Sequence, residues 1–302
     1  MANENPSSDV TGFDRVLGFT IPDRHCRGRV VRLGPVLQKI LSAHDYPVVL
    51  KILLGEALTI TSLMGSLLKN AGDQLTMQAQ TDDGVVSLLV CDYRDGEIRG
   101  YVQFDEERFD TLGAEPPLEA LFGSGHLAIT FDIAATGQRY QGIVPLEGAS
   151  LAHALEHYFV QSEQVPTLIR TGITFGPEGE EVAAGLLVQH LAEGEEGRER
   201  LHVRLDHPDW EHVAILSGSM TGEELVDEAL PLETLVWRLF HEEAEVRTTQ
   251  LAGLSRGCRC SELHFANVLA KFPKEDRREM ADENGIIRVD CAFCSKEFPI
   301  QD

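Results

Sequence analysis

The stretch Val48–Leu68, VVLKILLGEALTITSLMGSLL, decides what kind of protein this is. It is apolar and long enough to raise the question of a membrane span. Its interruptions answer that question. Lys51 and Glu56 sit inside it, Gly55 and Gly65 punctuate it, and Lys69 closes it. The pattern Pro47–Lys69 therefore predicts a buried helix in a protein that does not cross a membrane.

Working outward, short β-like runs flank that helix. They fall at Arg15–Ile21, Gly28–Leu33, Leu75–Gln80, Val85–Asp92, Ile98–Phe104, His126–Ile133, Arg139–Val144 and Val182–Leu191. Asp82-Asp83-Gly84, Asp95-Gly96 and Thr136-Gly137 supply hairpin turn residues between them. A second helix is predicted over Ser150–Gln161, with Ser150 as N-cap and Leu151, Leu155, Tyr158 and Phe159 near helical spacing. Many strands with few helices predict an α+β fold for a strand-rich N-terminal domain, residues 13–190.

Composition then shifts. Residues 191–250 hold fifteen Asp and Glu against five Arg and no Lys. Ala192–Arg200 is a Gly/Glu-rich breaker, followed by short helical pieces near His207–Leu216, Gly222–Leu230 and Leu232–Glu243. Thr221 and Glu224 fit a capping box. Two readings of this acidic helical linker, residues 191–256, stay open. It is either a marginal segment held by what it packs against, or a solvated hairpin of ordinary stability.

The whole chain has 302 residues, 26 Lys and Arg against 49 Asp and Glu, and a net charge of −23. That field repels phosphate backbones and anionic lipid, which excludes nucleic acid and membrane surfaces as expected partners. The opening MANENPSSDVTG lacks the basic and apolar regions of a signal peptide and reads as a disordered tail, residues 1–12. The expected compartment is the cytoplasm, where thiols stay reduced, so the six cysteines are read first as metal or redox chemistry.

Four of them lie in the last domain, residues 257–302. Cys258-Arg259-Cys260 and Cys291-Ala292-Phe293-Cys294 present two close thiol pairs, a donor set suited to tetrahedral zinc. Four sulfurs saturate the metal and leave no position for an activated water, so hydrolysis is not expected there. The C-x-C spacing is unusual for a structural zinc site, and C-x-x-C is the spacing of redox dithiols. Metal and disulfides therefore compete for the same sulfurs. Two readings follow from these residues: a thiol–disulfide oxidoreductase using Cys291 and Cys294, or a zinc-ribbon adaptor.

Other motifs carry less. His153-Ala154-Leu155-Glu156-His157 fits the inverted zinc-protease string but also an ordinary amphipathic surface helix. Cys26, among Arg24, His25, Arg27 and Arg29, sits where a thiol could be activated, though an incidental role is the plainer reading. Cys91 reads as a small core residue. No phosphate-binding glycine loop or nucleophile elbow is present in the sequence.

Taken together, the cysteine pairs, His44-Asp45-Tyr46-Pro47, Tyr140–Gly148 (YQGIVPLEG) and Ser162–Thr167 (SEQVPT) resemble the bacterial redox-regulated holdase chaperones of the thirty-three-kilodalton heat-shock protein family. The resemblance runs from about Phe13 to Ile300. It implies an ATP-independent chaperone without a turnover site, inactive when reduced with one zinc per chain on Cys258, Cys260, Cys291 and Cys294. It further implies that oxidation pairs Cys258 with Cys260 and Cys291 with Cys294, expels zinc and unfolds the linker. The expected partners are unfolding client proteins, with a homodimer in the oxidised state. His153, His157, Cys26 and Cys91 match no functional position of the family.

Overall fold

The computed structural model describes residues 12–176, 180–191 and 206–301; the breaker Ala192–Arg200 and all of the tail except Gly12 lie outside the described residues. The first half contains β1 (Arg15–Ile21), β2 (Cys26–Leu33), α1 (Pro35–Leu41), α2 (Val48–Gly65), β3 (Gln74–Thr81), β4 (Val86–Arg94), β5 (Glu97–Phe104), α3 (Glu106–Phe109) and α4 (Leu118–Phe122). Next come β6 (Gly125–Ile133), β7 (Gln138–Pro145), α5 (Leu151–Tyr158), β8 (Thr167–Phe175) and β9 (Glu181–His190). The acidic region holds α6 (Pro208–Gly218), α7 (Gly222–Val226), α8 (Leu232–Phe240), β10 (Arg247–Gly253) and β11 (Ser255–Arg256). The C-terminal part holds α9 (Glu262–Leu269), α10 (Lys274–Met280), β12 (Ile286–Asp290) and β13 (Glu297–Gln301). This is the mixed strand-and-helix architecture that the sequence predicts.

Two sheets face each other across α2. One has the order β10-β1-β2-β9-β8, and the other β11-β5-β4-β3-β6-β7. Every neighbouring pair is antiparallel except β11 with β5. α2 is long and apolar enough to cross a membrane, yet 72% of it is buried inside the protein. Both charges that interrupt it have partners. Lys51 Nζ lies 2.9 Å from Glu181 Oε1, and Glu56 Oε1 accepts the Ala152 N–H at 3.2 Å, in the first turn of α5. Gly65 has a packing reason, because a Cβ there would enter the Tyr93 ring. The β4–β5 hairpin needs Asp95 and Gly96 at φ +50° and +83°, as its turn residues suggest.

The five-stranded sheet is covered on both faces, and β9 is consequently buried at every residue. Its unbroken apolar run, without strand alternation, is the sequence trace of that double burial. On the outer face, Leu17, Phe19, Val30, Ala184, Leu186 and Val188 share a core with Trp210, Val213, Leu225, Leu232, Leu235, Val236 and Phe240. The α6–α8 pieces are therefore packed helices rather than a solvated hairpin. The capping box at Thr221 and Glu224 is present, and Gly172 lets α7 approach β8 so closely that a Cβ would meet the Gly222 carbonyl.

Three arginines tether this cover. Arg32, buried on β2, donates from Nε and Nη2 to the Leu225 carbonyl (3.0 and 2.8 Å) and from Nη1 to the Leu230 carbonyl (2.9 Å). Arg24 reaches Asp209 at 2.8 Å and Glu243 at 2.9 Å, while Arg15 forks onto Glu233 at 2.8 and 2.7 Å.

The short helical pieces expected within residues 191–256 are followed there by two strands that the sequence reading did not name. These are β10 and β11, and the polar run RTTQLAG forms a strand because β1 offers it an edge. β8 also escaped the sequence reading, since Arg170 and Gly172 interrupt its apolar pattern.

Candidate metal centre

The C-terminal part is small. Its core among the described residues comprises Leu269, Ile287, Cys291, Phe298 and Ile300, with Cys258, Cys260 and Cys294 packed against them. Three local features bring the thiols together. The Gly257 N–H bonds the Ile98 carbonyl at 3.0 Å, which fixes the chain just before Cys258 on the edge of the six-stranded sheet. Ser261 caps α9 immediately after Cys260, accepting from the His264 N–H at 3.1 Å. The β12–β13 hairpin then returns the second pair, and its knuckle is closed by the N–H groups of Cys294 and Ser295 converging on the Cys291 carbonyl (3.1 and 2.8 Å).

The four sulfurs all lie within 4.8 Å of one another. Cys258 Sγ is 3.1 Å from Cys260 Sγ and 3.6 Å from Cys291 Sγ, and Cys260 Sγ is 3.5 Å from Cys294 Sγ. A tetrahedral ion with sulfur legs of about 2.3 Å has edges of about 3.8 Å, so the cluster has the size of a four-thiolate site. Burial opposes ionisation of Cys258, but hydrogen bonds from the neighbouring thiols outweigh it and hold the thiol at about 7. Burial and the same shared bonds push Cys260 and Cys291 upward. The four thiols thus share their protons within one hydrogen-bonded group, and a cation bound there would displace those protons.

The knuckle is docked. The Phe293 ring, between the two cysteines, packs edge-on against Tyr101 of β5 at 4.8 Å and lies under the Arg99 guanidinium at 3.9 Å. Arg259 Nη1 donates to Gln74 Oε1, and Ser295 Oγ hydrogen-bonds His44 Nδ1 at 3.2 Å. His44 stacks on Tyr46, whose hydroxyl bonds both the N–H and the carbonyl of Val102. The His44-Asp45-Tyr46-Pro47 motif therefore joins the start of α2, the β5 strand and the cysteine knuckle. Sequence reasoning missed Arg99, Tyr101 and Phe293; an aromatic inside a C-x-x-C loop was the available signal.

The other candidates fall apart as sites. Glu156 Oε1 accepts the Ile169 N–H at 2.7 Å and lies 3.4 Å from Arg170 Nη1, while the exposed rings of His153 and His157 meet at a tilt, 4.8 Å between centroids. Cys26 is buried, and burial, then the Asp209 charge, push its thiol up to about 12, the reverse of activation. Cys91 is fully buried and raised by burial. Among the described residues, only Cys258, Cys260, Cys291 and Cys294 form a group able to hold a metal ion.

Residues 14–301 match the family model of the Hsp33 protein. The chain belongs to the Hsp33 family. It is 38% identical over 294 residues to a 33 kDa chaperonin of Caulobacter vibrioides, covering 95% of this chain and 94% of that protein. It is 34% identical over 292 residues to a 33 kDa chaperonin of Yersinia pestis, covering 96% and 92%. The crystal structure of the Thermotoga maritima 33 kDa chaperonin matches 95% of each chain with a TM-score of 0.75 at 22% identity, which establishes the shared fold. The Hsp33 assignment makes this a member of a chaperone family with a candidate metal centre in its C-terminal part.

Proposed function

We propose that the chain is a redox-regulated, ATP-independent holdase that binds unfolding proteins under oxidative stress. The reduced form carries one zinc on Cys258, Cys260, Cys291 and Cys294. A four-thiolate zinc supplies folding free energy rather than a reactive water. For small metallodomains that contribution is about 10–16 kcal/mol, comparable with the whole net stability of a domain, about 5–15 kcal/mol. The domains of the switch are residues 13–190 as chaperone body, 191–256 as metastable linker and 257–302 as sensor.

The observation that carries this reading is physical continuity. The cysteine part follows directly on β10 and β11, and these follow the helices that cover the outer apolar face of the five-stranded sheet. On oxidation, as the family resemblance implies, Cys258 pairs with Cys260 and Cys291 with Cys294. Each S–S bond hands two electrons to a peroxide-class oxidant. Such short loops constrain an unfolded chain very little, so the bridges do not replace the metal's contribution. The five-residue core then fails, β11 and β10 lose the docked part that follows them, and loosening that spreads back along the chain to α6–α8 uncovers the sheet face for a client.

The test is zinc content and thiol count before and after peroxide treatment, paired with light scattering of a heat-denatured client. The reading expects one zinc and four C-terminal thiols when reduced, neither when oxidised, and aggregation suppressed only in the second state. Equal suppression by the zinc-loaded reduced chain would overturn it. Catalytic turnover of a dithiol substrate would favour the oxidoreductase instead.

A further inference from the structure

The outer face is not the only surface that the acidic region covers. β10 also occupies the free edge of β1, pairing Leu17 with Gln250, Gly18 with Thr249, Phe19 with Thr248 and Thr20 with Arg247. Arg247, Thr248, Thr249, Gln250 and Gly253 are exposed, and no side chain of β10 hydrogen-bonds to β1 among the described residues. Arg247 instead pairs with Glu245, two residues before it. Buried apolar anchorage comes just past the strand, at Leu254, whose N–H bonds the Asp14 carbonyl at 2.6 Å. Toward β1 itself, β10 is held by backbone pairing, while one of its side chains, Leu251, is partly buried against the inner core.

A strand bound through its backbone can be exchanged for any extended chain. β1 is also a good template. Its side chains Leu17, Phe19 and Ile21 face the same outer core that α6–α8 cover, so removing the cover and freeing the edge expose one continuous surface. An uncovered apolar edge strand pairs readily with other chains.

Resting on the chaperone reading above, we infer that β10 is a built-in stand-in for client. When the acidic region is released, an extended apolar segment of the unfolding protein adds to β1 as the edge strand in place of β10. Its backbone takes over the ladder and its alternate side chains settle on Leu17, Phe19 and Ile21. The site then selects for extended conformation and alternating apolarity rather than for a sequence, which is what capture of many clients demands. It also explains why a polar, sequence-neutral strand suffices to keep the edge closed at rest.

The test uses the full oxidised chain with two short synthetic peptides of identical alternating apolar sequence. One has ordinary amides, and the other carries N-methyl groups at alternate backbone nitrogens and cannot extend a sheet. Binding is read by fluorescence anisotropy, and hydrogen exchange is followed on the peptide covering Arg15–Ile21. The expected result is that β1 amides exchange on oxidation and are protected again by the ordinary peptide, with the methylated one binding at least about tenfold more weakly for want of several backbone bonds. Equal binding of both peptides without protection of β1 would overturn the inference. So would β1 amides that stay protected by β10 throughout oxidation. Either outcome leaves the chaperone reading standing if client aggregation is still suppressed; absence of suppression would remove both.

Discussion

The two faces of the five-stranded sheet are both apolar and both covered, but by different means. On the inner face lies α2, one continuous helix of 18 residues, with a second sheet behind it. The core there gathers forty buried residues among those described. On the outer face lie α6, α7 and α8, of 11, 5 and 9 residues. That core holds sixteen buried residues, half from the sheet side and half from the cover. Helices this short have little stability of their own and depend on packing and tethers. The difference sets a core built on one long helix against a core built on three short ones within the same sheet, and under the proposed function the second is the one that is released.

The largest effect expected is at the metal. Cys258→Ser with Cys291→Ser should abolish zinc binding and remove about 10 kcal/mol or more of metal-linked folding free energy from the C-terminal part. Atomic emission should find no zinc, and α9 to β13 should lose exchange protection while α2 keeps it. Retention of one zinc per chain would show that the ligands are wrong.

Next come the two cores compared directly. Phe240→Ala and Leu58→Ala each empty a fully buried site, at costs of about 3–5 and 2–5 kcal/mol. Phe240 packs against Phe19 across the outer face at 5.5 Å between ring centroids. Its loss should release α6–α8 and raise client binding by the reduced chain without moving the main melting transition. Loss of Leu58 should lower that main transition instead. A common effect of both on the main transition would erase the distinction between the faces.

Smaller still is Arg32→Met. The guanidinium serves two buried carbonyls, so its removal should cost the cover about 1–3 kcal/mol. The change should show as faster exchange over 222–230 and unchanged exchange in β3–β6. Uniform acceleration would mean that Arg32 supports the sheet rather than the cover.

The smallest effect is acid release. The Arg24 hydrogen bond holds the Asp209 carboxyl below its ordinary range. Burial would raise Glu243, but Arg24 and His212 outweigh it and hold this carboxyl low as well. A lowered folded pKa contributes stability that is fully present above the unfolded value, about 4, and is lost as pH falls through the folded value. Tryptophan fluorescence of Trp210 should therefore report loosening of α6 at acid pH before the sheets lose circular dichroism, and Arg24→Met should move that step to higher pH. A single transition by both probes would contradict separate release.

Much of this organisation is legible in the sequence. The interruptions Lys51 and Glu56 mark α2 as internal, the run Val182–Leu191 marks a strand, and the two cysteine pairs mark one four-sulfur cluster. What could not be read were elements whose structure is dictated by distant partners. β10 is a strand because β1 is free at its edge, and nothing in RTTQLAG encodes that. Phe293, Arg99 and His44 meet only because β5, the knuckle and the start of α2 converge, three places far apart in sequence. The protease-like string failed for a related reason: Glu156 is spent on the backbone of β8.

The most direct measurement is peptide-resolved hydrogen exchange on the full chain, reduced with zinc and then oxidised, at a mildly elevated temperature. The account predicts that residues 208–256 and 258–301 lose protection together on oxidation, while α2 and strands β3 to β6 remain as protected as before, and that reductant restores the original pattern. Full protection of 208–240 in an oxidised chain that suppresses client aggregation, or simultaneous loss of protection in α2, would contradict it.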